Sequence, residues 1–173
     1  MRLTSYPAQK TPTTSEQYIR DLVYFTNGFH LPKDAVFGTP THYTPLPGDS
    51  NQSDTQVVVS MLQGRCSGDT GQKTLFYRRL FLSQLNPVNS AAIVLPPQDF
   101  SLSQILPQIN ATYGINLDIT DIVDRQCTPQ DASFVLQANP NSLAWQDQVT
   151  LPIEFDLSQL QATVLPGFTE TVV

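Results

Sequence analysis

Residues 100–156 place the strongest constraint on the fold, because their apolar residues recur at regular intervals while their polar residues occupy cap and turn positions. Ser101 and Gln104 have the spacing of a capping box and precede an apolar helical pattern that Gly114 ends. Two alternating runs typical of half-buried strands follow, at 134–138 and 149–155. This segment predicts a compact unit of helix and strands that contains no catalytic motif.

Two prolines interrupt these patterns. The ring of Pro107, six residues beyond the Ser101 cap, would clash with the carbonyl of Ser103 in a continuous helix, so either the first turn is loose or the helix bends. Pro152 cannot donate a hydrogen bond to a β-ladder. We therefore expect its strand to be an edge strand or to pair on its other side.

The N-terminal part combines an arm, a helix and a loop. Residues 1–14 are rich in Pro, Thr and Ser and are predicted to form an N-terminal arm. A helix is predicted at 15–27, since Thr13 and Glu16 have capping-box spacing and an apolar face follows. Gly28 ends it in the left-handed backbone conformation. Residues 29–52 contain four prolines and two glycines, and predict an ordered but irregular loop.

The middle of the chain predicts a hairpin at 55–82, with strands at 55–62 and 73–82 and a glycine-containing connection between them. A third strand at 91–95 opens a strand–helix–strand unit over 90–156. Residues 157–173 are apolar but unpatterned and are assigned to a C-terminal tail. Because hairpins and short connections favour antiparallel pairing, we expect one α+β domain at 15–156: an antiparallel sheet packed against a few short helices, with extended N- and C-terminal arms.

Charge and hydropathy exclude two classes of partner. The net charge is −6 and the only basic cluster is Arg78–Arg79, whereas nucleic-acid binding requires clustered cations. No apolar run approaches the roughly 18 residues of a membrane span, and the N-terminus lacks the apolar core of a secretory signal. Charged residues make up 14% of the chain, against about 25% in ordinary soluble domains, which suits a subunit packed among others.

Three acids, Asp118, Asp121 and Asp124, are the first candidates for a functional site. Their three-residue spacing differs from the alternate spacing of an EF-hand calcium loop. It is typical of capping and of dipole complementarity at the start of a short helix capped by Asp118 or Thr120. A cation site is the alternative interpretation.

Histidine and cysteine give no recognisable catalytic or metal-binding pattern. His30 and His42 lie in the proline-rich region and have no partner at metal-ligand spacing, so we interpret them as surface or loop-packing residues. Cys66 and Cys127 are either free thiols or a disulfide, and spacing does not decide between these. The glycines near Cys66 lack the Lys-Ser/Thr and the helix of a phosphate loop, and no Gly-x-Ser-x-Gly motif is present.

Two further features have alternative interpretations. Arg78–Arg79 indicates a solvated strand face, or else a pair of cations that binds acids on a neighbouring subunit. Trp145, the single tryptophan, is interpreted as an aromatic residue that closes the core, with a sugar-stacking platform as the alternative. We therefore predict no catalytic, cofactor-binding or metal-binding residue, and no cofactor.

Several short segments occur in an order that resembles a known family. They are Val-Phe-Gly-Thr-Pro at 36–40, Asp-Thr-Gln-Val-Val-Val at 54–59, Phe-Tyr-Arg-Arg-Leu-Phe-Leu at 76–82, the segments 109–117 and 121–124, and the segment 138–149. Together they resemble the virion structural proteins of large contractile-tailed (jumbo myovirus-type) bacteriophages. Two residues depart from that pattern: Pro107 interrupts the helix, and Asp147 stands where members commonly carry Gly.

The resemblance implies a non-enzymatic structural component of the virion that acts by subunit–subunit assembly, with the tail, baseplate or neck favoured over the head. It implies assembly in the bacterial host cytoplasm, with other virion proteins as partners in a homo- or hetero-oligomer, and no catalytic residues. The first alternative is a host-surface receptor or glycan-binding module that uses Trp145 or residues 41–43. The second is a particle-borne wall hydrolase with Asp118, Asp121 and Glu154 close together.

Overall fold

The computed structural model describes residues 14–45, 47, 53–61, 71–88 and 92–156. The predicted tail at 157–173, the predicted arm apart from Thr14, and most of the hairpin connection lie outside the described residues. The described helices are α1 (Ser15–Asn27) and α2 (Leu106–Tyr113), with 3₁₀ turns at Leu82–Gln84, Leu102–Ile105 and Ile119–Asp121. None of the described helices has the length and apolar character needed to cross a bilayer.

The strands are short and mostly antiparallel, which confirms the predicted α+β class. In chain order they are β1 (Ala35–Phe37), β2 (Thr41–His42), β3 (Thr55–Met61), β4 (Gln72–Tyr77), β5 (Leu80–Phe81), β6 (Ile93–Leu95), β7 (Phe100–Ser101), β8 (Gln126–Cys127), β9 (Phe134–Gln137), β10 (Trp145–Gln146), β11 (Gln148–Leu151) and β12 (Ile153–Phe155).

Helix α1 occupies the predicted span, but its cap is Thr14 and not Thr13. The side chain of Thr14 accepts a hydrogen bond from the backbone N–H of Gln17 at 3.2 Å. Glu16 is therefore the second helical residue, one position too early for a capping box, and it pairs with Arg20 at 2.6 Å. Gly28 ends the helix at φ 72°, as its position predicts.

The largest sheet is built around β3, which pairs antiparallel with β1, β2 and β4. The prediction of an irregular loop at 29–52 is wrong for β1 and β2, because five of its residues pair with β3. Strands this short contain too few residues to give a recognisable alternation. Gly38 lies between them, and its N–H donates to the carbonyl of Val58 at 2.8 Å; a Cβ at this position would lie 3.2 Å from that oxygen.

The predicted return strand at 73–82 is divided in the structure. Strand β4 ends at Tyr77, and β5 pairs in parallel with β10 instead of continuing along β3. The N–H of Leu80 also donates to the carbonyl of Ala144 at 2.7 Å. This transfer from one partner to another joins the first half of the chain to the second.

Pro152 divides the second alternating run in a similar way. Strand β11 pairs antiparallel with β9, and β12 pairs parallel with β6. The carbonyl of Pro152 accepts a hydrogen bond from the N–H of Ile93 at 2.8 Å. Because Pro152 has no N–H, the ladder with β9 ends there, and the opposite backbone edge of the same chain segment pairs with β6. This is the second of the two outcomes that the sequence predicts.

Pro107 is accommodated by a change of helix type. The capping box of Ser101 and Gln104 is present, but it starts the 3₁₀ turn Leu102–Ile105. Helix α2 begins only at Leu106, which places Pro107 in the first turn, where no backbone N–H is needed. Gly114 ends α2 at φ 64°.

One hydrophobic cluster connects α1, the large sheet and the C-terminal unit. Its fully buried side chains include Ile19, Leu22, Val57, Leu75, Tyr77, Leu102, Ile109, Ile122 and Leu136. Each buried Leu or Ile contributes roughly 1.5–3 kcal/mol. Burial raises the pKa of Tyr77, so its hydroxyl stays protonated and donates to the carbonyl of Leu143 at 2.7 Å.

Candidate interaction surfaces

Asp118 caps a 3₁₀ turn, and Asp121 is the third residue of the same turn. The Asp118 carboxylate accepts from the backbone N–H of Thr120 at 2.7 Å, and Asp121 accepts from the backbone N–H of Asp118 at 3.2 Å. These reciprocal bonds form a capping box around the 3₁₀ turn Ile119–Asp121. The capping interpretation, with Asp118 at the cap, is confirmed for this pair.

Asp121 also joins distant parts of the chain. It is 1% exposed, and its Oδ1 accepts from the hydroxyls of Ser15 at 2.5 Å and Ser142 at 2.6 Å. The Ser142 hydroxyl in turn accepts from the backbone N–H of Trp145 at 3.1 Å. Together with the bond from Asp118, this carboxylate receives three donors from three segments, so it works as a buried structural junction.

Asp124 lies at a different place and serves a different element. Its carboxylate accepts from the hydroxyl of Ser103 at 2.7 Å and from the backbone N–H of Ser103 at 2.9 Å. These hydrogen bonds to the Ser103 side chain and backbone lower the pKa of Asp124. Asp118 and Asp121 thus support one turn and Asp124 supports another, and within the described residues no group of three His, Cys, Asp or Glu side chains is arranged to hold a metal ion.

An open cleft of about 540 Å³ lies beside the start of α1, and both Asp118 and Asp121 line it. Glu154 is not among its lining residues: it lies on β12, opposite Val94 of β6. The acids of the hydrolase alternative therefore do not meet in this cleft. The Asp121 carboxylate accepts hydrogen bonds from three donors of the chain itself.

The histidines are exposed, whereas the described cysteine is buried. His30 stacks on the ring of Tyr24 with centroids 4.2 Å apart, and exposed His42 lies opposite Thr55 in the β2–β3 ladder. Cys127 is a buried free thiol on β8, and burial raises its pKa. Cys66 lies outside the described residues.

Arg79 departs from its predicted role on a solvated strand face. Its Nε donates to the hydroxyl of Thr55 at 3.2 Å, and its Nη1 donates to the carbonyl of Pro140 at 3.1 Å. Because β4 ends two residues earlier, the side chain turns toward the loop that follows β9 and binds its backbone. Arg78 places its guanidinium over the ring of Phe81, with its carbon 5.0 Å from the ring centroid.

Trp145 closes the core, as its position predicts. It is 6% exposed and lies on β10, whose neighbour is β5. A stacking platform for sugars requires an accessible ring face, which this tryptophan does not offer.

The outward face of the large sheet carries apolar and uncharged polar side chains on its strands. We call it the outer sheet face; by strand alternation it consists of Val36, Thr41, Gln56, Val58, Ser60, Gln72, Thr74 and Phe76. Val36 is 53% exposed and Val58 is 40% exposed, although both are strand residues with large apolar side chains. Tyr43 packs beside Phe76, with ring centroids 4.7 Å apart.

Comparison with known proteins adds one finding. Residues 9–168 match the model of a family of unknown function, DUF7941. The chain belongs to this family. Searches of the curated proteins and of the solved structures gave no match.

In this DUF7941 member, sequence reasoning missed both the junction at Asp121 and the outer sheet face. No local signal identifies the serine partners of Asp121, because Ser15 is 106 residues away. The outer face has a weak signal: polar Gln56 and Ser60 flank Val58 at two-residue intervals. The adjacent valines at 57–59 hide this alternation, since inward and outward positions hold the same residue type.

Proposed function

We propose that this chain is a non-enzymatic structural component of a bacteriophage virion and that it acts by subunit–subunit assembly. The observation that supports this role most directly is the outer sheet face, a strand surface with exposed Val36 and Val58 and no charged member. Interface cores are depleted of charged residues, and exposed apolar patches on a folded chain mark sites of association.

The use of the reactive side chains supports the same proposal. The buried carboxylate of Asp121 and the guanidinium of Arg79 each hold together segments that are distant in sequence. Tyr77, with its raised pKa, donates to a backbone carbonyl. In many enzymes such groups perform acid–base or nucleophilic chemistry. In this chain they stabilise a rigid shape, which is what an assembly subunit requires.

The conformation of Asp147 supports the resemblance to phage virion proteins. Asp147 has φ 63°, in the left-handed region that favours glycine, and proteins of that family commonly carry Gly at this position. The Asp147 carboxylate accepts from the backbone N–H and the hydroxyl of Ser83, which compensates for the backbone conformation. Asp147 therefore fits the glycine position of the resembling proteins.

In this proposal the partners are other virion proteins, in a homo- or hetero-oligomer. Residues 1–14 and 157–173 and the proline-rich segment 29–52 bind neighbours around the rigid domain. The chain is incorporated in the tail, baseplate or neck in preference to the head, after synthesis in the bacterial cytoplasm.

Mass spectrometry of purified particles tests the proposal. We expect the chain at a fixed ratio to the major structural proteins, with crosslinks from it to neighbouring virion proteins. A chain that is abundant in infected-cell extracts but absent from particles purified through a density gradient would refute the structural role.

A further inference from the structure

The outer sheet face carries a more specific inference, which rests on the proposed role in assembly and names one partner. We infer that this face binds the same face of a second copy of this chain, as an isologous contact around a two-fold axis. In such a contact both copies use the same surface patch, and a residue i that touches residue j of the partner is matched by j touching i, so the surface must be complementary to itself.

Charge is the first reason for choosing a second copy. Each chain has a net charge of −6, so two copies repel each other over most of their surfaces. The outer sheet face contains only Val, Gln, Ser, Thr and Phe side chains at its outward positions. Two copies that meet there juxtapose no like charges, whereas a strongly basic partner would find no acid on this face to pair with.

Geometry is the second reason. Val58 lies at the middle of the central strand β3, next to Thr74 of β4 on one side and Gly38 on the other. Because Gly38 has no side chain, the position opposite Val58 on that side contributes no side chain to cover it, and Val58 is 40% exposed. Sheets that pack face to face lie about 10 Å apart with interdigitated side chains, an arrangement that this surface permits.

The size of the face sets the expected strength. The face spans three strands about 4.8 Å apart, of which β1 has three residues, β3 seven and β4 six. At about 3.3 Å per residue its footprint is at most roughly 15 by 20 Å. Stable dimers bury about 800 Å² on each partner, which is more than this footprint provides, so this face alone supports a weak dimer with a dissociation constant above the micromolar range. Additional contacts in an assembled particle would strengthen it through effective concentration.

Sedimentation velocity of the full-length protein, from about 10 µM to about 1 mM, tests the inference. We expect a reversible monomer–dimer equilibrium that strengthens with added salt, because salt screens the repulsion between two acidic chains. Val58→Glu is expected to weaken dimerisation by at least about tenfold, since it places two carboxylates at the symmetry axis. The matched control is Val94→Glu, at a 58% exposed strand valine of β6, which is expected to change the dissociation constant by less than about twofold.

Amide chemical shifts of the wild-type protein give a readout that needs no variant. We expect concentration-dependent shifts at Val36, Val58 and Ser60. Three outcomes would overturn the inference. They are a monomer at all concentrations, equal effects of the two Glu variants on the dissociation constant, and protection of this face by the chain's own segments at every concentration. A monomer that is nevertheless found in particles rejects only this contact, whereas a dimer that is absent from particles rejects only the virion role.

Discussion

Removal of the Asp121 carboxylate is expected to destabilise the fold far more than removal of any exposed acid. Asp121→Ala leaves three donors without an acceptor: the hydroxyls of Ser15 and Ser142 and the backbone N–H of Asp118. Hydrogen bonds to a charged group contribute about 1.5–3 kcal/mol each, and part of this loss is recovered by rotation of the hydroxyls and by water. We therefore expect the free energy of unfolding to fall by about 3–5 kcal/mol.

Urea denaturation followed by circular dichroism measures this loss. With an m-value of about 2 kcal/mol per molar, the midpoint is expected to fall by about 2 M while m stays unchanged. The melting temperature is expected to fall by roughly 10 °C, at about 2–4 °C per kcal/mol for a chain of this size. Ser142→Ala is expected to cost about 1–2 kcal/mol, and its effect should largely disappear in the Asp121→Ala background, because the two side chains share one hydrogen bond.

The matched control is Asp124→Ala, which removes an exposed carboxylate that also accepts two hydrogen bonds. It is expected to cost about 1 kcal/mol or less, as surface caps do. The structural role of Asp121 would be refuted if both variants lowered the free energy of unfolding equally, or if Asp121→Ala lowered it by less than about 1 kcal/mol. Either result would mean that burial does not strengthen the hydrogen bonds of this carboxylate.

Three further expectations concern single residues. Asp147→Gly removes the strain of the left-handed backbone but loses both hydrogen bonds to Ser83, so its free energy of unfolding should lie within about 1 kcal/mol of wild type. Asp147→Ala keeps the strain and loses the bonds, and should cost about 2 kcal/mol. Equal losses of the two variants in urea titrations would contradict this. Asp124 should titrate below its ordinary pKa of 3.8. Its contribution to stability is therefore present above pH 3.8 and disappears as the pH falls through the lowered pKa. In carbon-detected NMR, Ser103→Ala should move the pKa of Asp124 back up, and an unchanged pKa would exclude the Ser103 hydroxyl as the cause. Gly114→Ala should cost about 1–2 kcal/mol in thermal melts, because φ 64° strains any residue with a Cβ, and an unchanged melt would argue against that backbone conformation.

The sequence by itself determined the elements whose causes are local. The span 15–27 is helical in the structure and ends at Gly28, and α2 ends at Gly114, because a glycine in the left-handed region stops a helix without help from distant residues. The alternation in 134–138 likewise places Phe134 and Leu136 inward, since strand geometry reverses the side-chain direction at every residue. These features depend on a few neighbouring residues.

Tertiary structure decided the strand partners and the roles of the polar side chains. Only the folded chain places Ser15 beside Asp121, turns Arg79 toward the carbonyl of Pro140, and transfers the chain from β9 to β6 at Pro152. An alternating pattern specifies which face of a strand is buried, but it does not specify which backbone edge will pair with it. Hydrogen bonds between residues far apart in sequence form only where packing brings donor and acceptor together, and for that reason no local pattern could reveal them.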